Sequence, residues 1–332
     1  MLSKRVGIIS MTAVAPMIWG STYLVTTELL PPGRPLLAAT VRALPAGLAL
    51  VAVTRCLPKG SWWWRSLVLG ALNIGAFFAL LFVAAYRLPG GVAATLGALQ
   101  PLLAATLAAL LLGQRLTLRT VLTGLAGVAG VSLLVLRAGA RLDGVGVLAA
   151  LGGAVVMATG VVLSKKWASP APLLATTGWQ LVGGGLLLLP LALCFEGVPT
   201  ESLTGSNVLG YVYLAVVGAG LSYPLWFRGV RALPAADVTF LGLLSPVVAT
   251  ALGWIVLGQR LGAVQLVGAA VVLGSLVAAQ VRRRGPSVEV AEATVEVAEA
   301  AEVADATEAA IHRKIASAPV DNRPRVRASG RY

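Results

Sequence analysis

Ten runs of about twenty apolar residues follow one another between residues 6 and 281, separated only by short connections. A hydrocarbon core about 30 Å thick takes about 20 residues of helix to cross. Backbone in lipid must satisfy its own hydrogen bonds, so each run reads as a transmembrane helix. The expected spans are 6–29, 35–53, 66–85, 92–112, 120–136, 145–163, 172–195, 208–226, 238–257 and 263–281. Composition fits: 12% of residues are charged and the mean hydropathy is +0.86, against about 25% charged in soluble domains. The same composition removes most chemistry. The single His, His312, falls in a polar tail, and the cysteines are Cys56 and Cys194, so zinc sites, Ser-His-Asp triads and disulfide scaffolds lack their residues. No metal, no cofactor and no catalytic residue is expected, and the chain does not read as an enzyme.

The net charge of +13 is topology and not a nucleic-acid surface, because Lys and Arg stand singly or in small groups between apolar runs. One alternate set of connections carries fourteen of them, and the other carries five, Arg34, Arg87, Arg137, Arg141 and Arg260. The positive-inside rule then places both termini in the cytoplasm of a cell with an inner or plasma membrane. Trp62, Trp63 and Trp64 fall at the inner interface, where indoles anchor. Cys56 lies inside and Cys194 outside, too far apart for the roughly 7 Å that a disulfide tolerates.

The chain also repeats itself. Leu88-Pro89 through Gln100-Pro101 to Leu112-Gly-Gln-Arg-Leu116 recurs 145 residues later as Leu233-Pro234 through Ser245-Pro246 to Leu257-Gly-Gln-Arg-Leu261. A second echo sets Pro35-Leu-Leu-Ala-Ala-Thr40 against Pro172-Leu-Leu-Ala-Thr-Thr177. The expected fold class is therefore all-α integral membrane, ten helices in two five-helix repeats, with boundaries at 1–140, 141–284 and a tail at 285–332. An odd number of spans per copy makes the second copy enter the membrane from the opposite face. Inverted repeats are characteristic of secondary transporters, since two interchangeable halves can open a midplane site to either side.

On these residues the chain resembles the EamA type of the drug/metabolite transporter superfamily. The matching features are Trp19-Gly20-Ser21, Arg42, and the doubled Pro-x(10)-Leu-Gly-x-Arg-Leu element at Pro101 to Leu116 and Pro246 to Leu261. The resemblance covers both repeats and implies a ten-helix carrier that exports or exchanges small metabolites. One departure stands out: where the family element usually has Glu, both copies here have Gln, Gln114 and Gln259. Any role of that carboxylate is absent.

A pocket for a small organic solute combines aromatic faces with a few polar groups. Trp19 and Tyr23, spaced four apart, share a helix face, as do Asn73 and Phe77; Ser222, Tyr223 and Trp226 cluster in the eighth span. Phe77 aligns with Ser222 under the 145 offset, and Gln100 with Ser245. Candidate substrate-binding residues are thus Trp19, Tyr23, Asn73, Phe77, Gln100, Ser222, Tyr223 and Trp226, with packing as the competing role for each. Charge inside a bilayer is costly and marks function. Glu28 and Arg42 are the charged residues so placed, and they are candidates for an outer gate; interfacial solvation is the competing role. Asp237 reads as a helix N-cap. Prolines Pro101 and Pro246 withhold an N–H from Gly97 and Gly242, either exposing those carbonyls or kinking the helix. Gly183-Gly184-Gly185, Gly124 and Gly130 permit close helix approach, with no Walker or dinucleotide context.

The tail after Arg284 holds eight of the thirteen acids in an Ala/Val/Glu-repetitive segment, and reads as a low-complexity cytoplasmic tail, disordered or marginally helical. The expected function is a secondary transporter of small organic metabolites, whose partners are that solute and the bilayer, with no nucleic acid. A channel or a nontransporting membrane regulator is the alternative.

Overall fold

The computed structural model describes residues 2–88, 90–135, 143–197, 202–258 and 261–281. The tail, Pro89, Gln259, Arg260 and the 136–142 connection lie outside these residues, and Tyr23 lies outside the described side chains. No strand occurs among the described residues, and ten helices are long and apolar enough to cross a membrane. We number them α1 to α10. Five are continuous α-helix: α1 Leu2–Leu29, α2 Pro35–Thr54, α5 Leu118–Val135, α6 Gly144–Lys166 and α7 Leu173–Phe195. A sixth, α10 Ala263–Gln280, closes the bundle. The other four are interrupted.

The third span, α3, runs as Trp62–Gly70, a π-helical Ala71–Ala76, and Phe77–Arg87. Its counterpart α8 runs as Gly205–Ala215, a π-helical Val216–Leu221, and Ser222–Ala232. Both π segments begin and end 145 residues apart. Pro224 withholds an N–H from the preceding turn in α8, yet α3 has Ala79 at the equivalent place, so a proline is not what widens both helices. The fourth span, α4, breaks between Gly90–Gly97 and Gln100–Leu112, and α9 breaks between Ala235–Leu241 and Leu244–Leu257. Each break sits just before its proline, Pro101 or Pro246. The backbone tightens there into three-residue turns, and the Gly242 carbonyl, which Pro246 cannot serve, accepts the Ser245 N–H at 3.1 Å. Gly113 and Gly258 then end α4 and α9 in the left-handed region, at φ 65° and 64°, where glycine carries no Cβ penalty.

Packing obeys the same exchange of halves. Helix α2 lies along α7, and α5 along α10; α1 packs on α8 and α9, as α6 packs on α3 and α4. Lipid gives helices no hydrophobic reason to associate, so close approach through small residues matters. A Cβ on Gly185 would stand 2.8 Å from the Leu44 side chain, and one on Gly130 would stand 2.9 Å from the Val272 nitrogen. These glycines are helix contacts, as read from the sequence. Large apolar side chains such as Leu110, Leu148 and Phe195 stay more than 70% exposed, which is appropriate for lipid-facing positions.

Polar contacts pin both ends of the bundle. At one end Arg5 pairs with Asp237 at 3.1 Å, Lys165 donates to the carbonyls of Val230 and Leu233 at 2.8 and 2.6 Å, and Gln280 donates to the Asp237 carbonyl at 2.8 Å. Pro234 holds the N-cap position of α9, so Asp237 sits inside the first turn and reaches across to α1, a role that the sequence reading did not foresee. At the other end Glu196 accepts the Leu36 and Leu37 N–H groups at 2.5 and 2.8 Å. That carboxylate caps α2 from the end of α7.

Candidate functional site

The midsection of the bundle holds a cluster built from α1, α2, α3 and α8. Trp19 lies with its ring centroid 5.2 Å from Tyr223 and 5.1 Å from Trp226. Its indole N–H donates to the Ser222 hydroxyl at 2.9 Å, and Ser222 donates in turn to the Gly218 carbonyl at 2.6 Å. Arg42 donates to that same carbonyl through Nε at 3.2 Å and a terminal nitrogen at 2.9 Å. Its guanidinium stands 5.3 Å over the Phe78 ring. Arg42 is 8% exposed, so the carbonyl and the ring face replace the water that a guanidinium would otherwise need. One carbonyl in the π-helical turn of α8 therefore ties together three helices from both halves of the chain.

Each residue of Trp19-Gly20-Ser21 meets the second half. Trp19 reaches Ser222; a Cβ on Gly20 would stand 2.7 Å from the Ser245 carbonyl; Ser21 shares a hydrogen bond with the Tyr213 hydroxyl at 2.6 Å. The motif forms the seam between α1 and the α8–α9 pair. Tyr223 and Trp226 are 2% and 1% exposed. The buried Trp226 indole N–H and the Thr22 hydroxyl have no hydrogen-bond partner among the described residues, and a solute acceptor or water would satisfy such groups.

A second polar group mirrors the first. Asn73, fully buried in the π-helical turn of α3, donates to Gln180 of α7 at 2.8 Å and to Ser164 of α6 at 3.2 Å. Asn73 and Gly218 are 145 residues apart, so α7 reaches the α3 turn as α2 reaches the α8 turn. Gln180 and Ser164 also line a small cleft of about 30 Å³ with Trp62, Thr176, Phe227 and Arg231. Phe227 stands 6.0 Å from Tyr223, linking this cleft to the aromatic cluster.

Among the sequence candidates, the structure brings Trp19, Ser222, Tyr223 and Trp226 into direct contact and sets Arg42 beside them. The Phe77 ring lies tilted against Phe78 with centroids 5.7 Å apart, Asn73 joins Gln180, and Gln100 begins the second segment of α4. Glu28 is exposed at the end of α1, while Arg42 turns toward Gly218. Gln180 and Ser164 were missed. Gln180 had a signal, a lone amide in an apolar run.

This architecture has relatives. The model of the EamA-like transporter family matches twice, over residues 6–136 and 144–279. The chain belongs to the EamA-like transporter family. The EamA relatives include Protein PecM of Dickeya dadantii, 46% identical over 80% of this chain and 90% of its own length. A protein of Salmonella typhimurium named "Probable amino-acid metabolite efflux pump" is 29% identical over 83% of this chain and 94% of its own. A solved crystal structure superposes with a TM-score of 0.72 at 22% identity, covering 82% of this chain and 96% of the other. That likeness speaks to the fold. The EamA match and the ten apolar helices make this a multi-pass membrane protein of a transporter family.

Proposed function

We propose that the protein is a secondary carrier that exports or exchanges a small organic metabolite by alternating access, with both termini cytoplasmic in an inner or plasma membrane. The two halves are the repeats 1–140 and 141–284. Solute is held beside the Trp19, Tyr223 and Trp226 rings once their contact opens, where Ser222 and Trp226 offer hydrogen bonds and Arg42 a positive charge. The observation that carries this reading is the pairing of helical interruptions. The two π segments and the two broken spans recur at one offset, so either half can adopt the other's shape. Exchange of those shapes opens a midplane site to one side and then the other. In this orientation the Arg5–Asp237 end faces the cytoplasm.

The test is counterflow in proteoliposomes, beginning with amino acids and their derivatives, the class named for the Salmonella relative. A carrier shows uptake of labelled solute accelerated by unlabelled solute inside. Flux of a transported solute without acceleration makes the protein a channel, and no flux across the metabolite panel makes it a membrane regulator.

A further inference from the structure

The Trp62-Trp63-Trp64-Arg65 run has more specific chemistry than an interface anchor. The Arg65 guanidinium lies 5.7, 5.5 and 5.6 Å from the ring centroids of Trp62, Trp64 and Trp167. Trp64 and Trp167 meet edge-on at 5.1 Å; Trp62 leans on Trp179 at 6.5 Å, and the Trp179 indole N–H donates to the Cys56 carbonyl at 2.7 Å. The start of α3, the end of α6, the first half of α7 and the end of α2 thus build one cage around a guanidinium. Ring contacts of this kind attract the charge but accept no hydrogen bond in the guanidinium plane, so the N–H groups are left to other partners. Arg65 forms no ion pair among the described residues, and its buried Nε has no hydrogen-bond partner there.

The surroundings say what the fork takes. Trp63 and Trp64 are 58% and 51% exposed, and exposed indoles on a membrane protein settle at headgroup depth. The connections 55–61 and 167–172 contain no Asp or Glu, while Arg55, Lys59 and Lys166 are exposed at the same end. A planar fork with surrounding positive charge at headgroup depth matches a phosphodiester anion. We propose that the Arg65 cage binds the phosphate of an anionic phospholipid of the phosphatidylglycerol type. The orientation proposed above assigns only the leaflet, the cytoplasmic one; the cage itself does not depend on it.

The test uses the full chain in detergent, titrated by native mass spectrometry with dioleoylphosphatidylglycerol, with dioleoylphosphatidylcholine and with inorganic phosphate. The first phosphatidylglycerol should bind at least fivefold more tightly than phosphatidylcholine. Arg65→Gln should weaken it at least fivefold. Arg65→Lys, which keeps the charge and loses the fork, should fall between the two, and Trp63→Leu, outside the cage, should leave binding unchanged. Equal binding of the two lipids, or unchanged phosphatidylglycerol binding in both Arg65 variants, overturns the proposal. Displacement of the lipid by millimolar inorganic phosphate also overturns it, because the site then takes a soluble anion. Should Arg65→Gln fail to purify, Arg65→Lys with Trp167→Leu decides: unchanged affinity in both rejects the cage.

Discussion

Trp19 and Ser222 stand 203 residues apart in the chain and share a 2.9 Å hydrogen bond. That bond crosses from the first helix of one repeat to the third helix of the other, beside the tilted rings of Tyr223 and Trp226. Trp19→Phe keeps a ring and removes the donor, worth about 1 kcal/mol, so transport should fall by about fivefold. Trp19→Ala should lower it further. Counterflow normalised to membrane abundance is the measurement, and a parallel collapse of abundance would assign Trp19 to packing alone.

Arg42 separates function from stability. Arg42→Leu removes a buried charge, and the Gly218 carbonyl it leaves keeps the hydrogen bond from Ser222. The thermal midpoint in detergent should therefore stay within about 3 °C of the parent, corresponding to about 1 kcal/mol. Transport should drop by more than about tenfold, which is the loss of a charge-assisted contact worth about 1.5 to 3 kcal/mol. Retained transport would remove Arg42 from the site.

The Arg5–Asp237 pair joins the start of α1 to the start of α9 with side chains 29% and 17% exposed. Pairs of this kind are worth about 0.2 to 1 kcal/mol. Arg5→Gln or Asp237→Asn should raise alkylation of an Ala15→Cys reporter, now fully buried, by about two- to fivefold in inside-out vesicles lacking Cys56 and Cys194. The exchange Arg5→Asp with Asp237→Arg should bring it back. No recovery in the exchanged pair would mean that charge does not hold this end closed.

Glu196 caps α2 from another helix through two backbone N–H groups. Glu196→Ala should cost about 1 to 2 kcal/mol, read as a thermal midpoint lower by about 2 to 8 °C. An unaltered midpoint would show that solvent caps α2 as well.

Orientation and coupling are tested together. A reporter after Val281 should behave as cytoplasmic and one near Gly197 as external; the reverse at both would invert the topology. With Glu28 exposed and both Leu-Gly-Gln elements lacking a carboxylate, flux under an imposed pH gradient with clamped voltage should equilibrate without accumulation. Uphill accumulation abolished by Glu28→Gln would instead make Glu28 a proton carrier.

The ten helices were legible because hydropathy is a local sum, and each run carries its own instruction to span. Ends were less so. Trp62 starts α3 four residues before the apolar run, held by its N–H to Lys59 at 3.0 Å, and α8 extends six residues beyond Trp226 to Ala232. Single polar residues in apolar runs were visible as candidates, but their partners were not. Asn73 finds Gln180 across 107 residues, and Arg42 finds a backbone carbonyl, which has no residue identity to read.

The sequence by itself determined the number of spans, the doubled unit and the charge asymmetry, since each rests on composition within a run or on identity between runs. Only the tertiary structure decided where the halves touch. The π-helical turns at 71–76 and 216–221 share only the glycine pair Gly75 and Gly220, yet they supply the Gly218 carbonyl and the Asn73 amide on which α2 and α7 close. Such a contact depends on two distant backbones arriving at one place, and that is a property of packing that no single segment encodes.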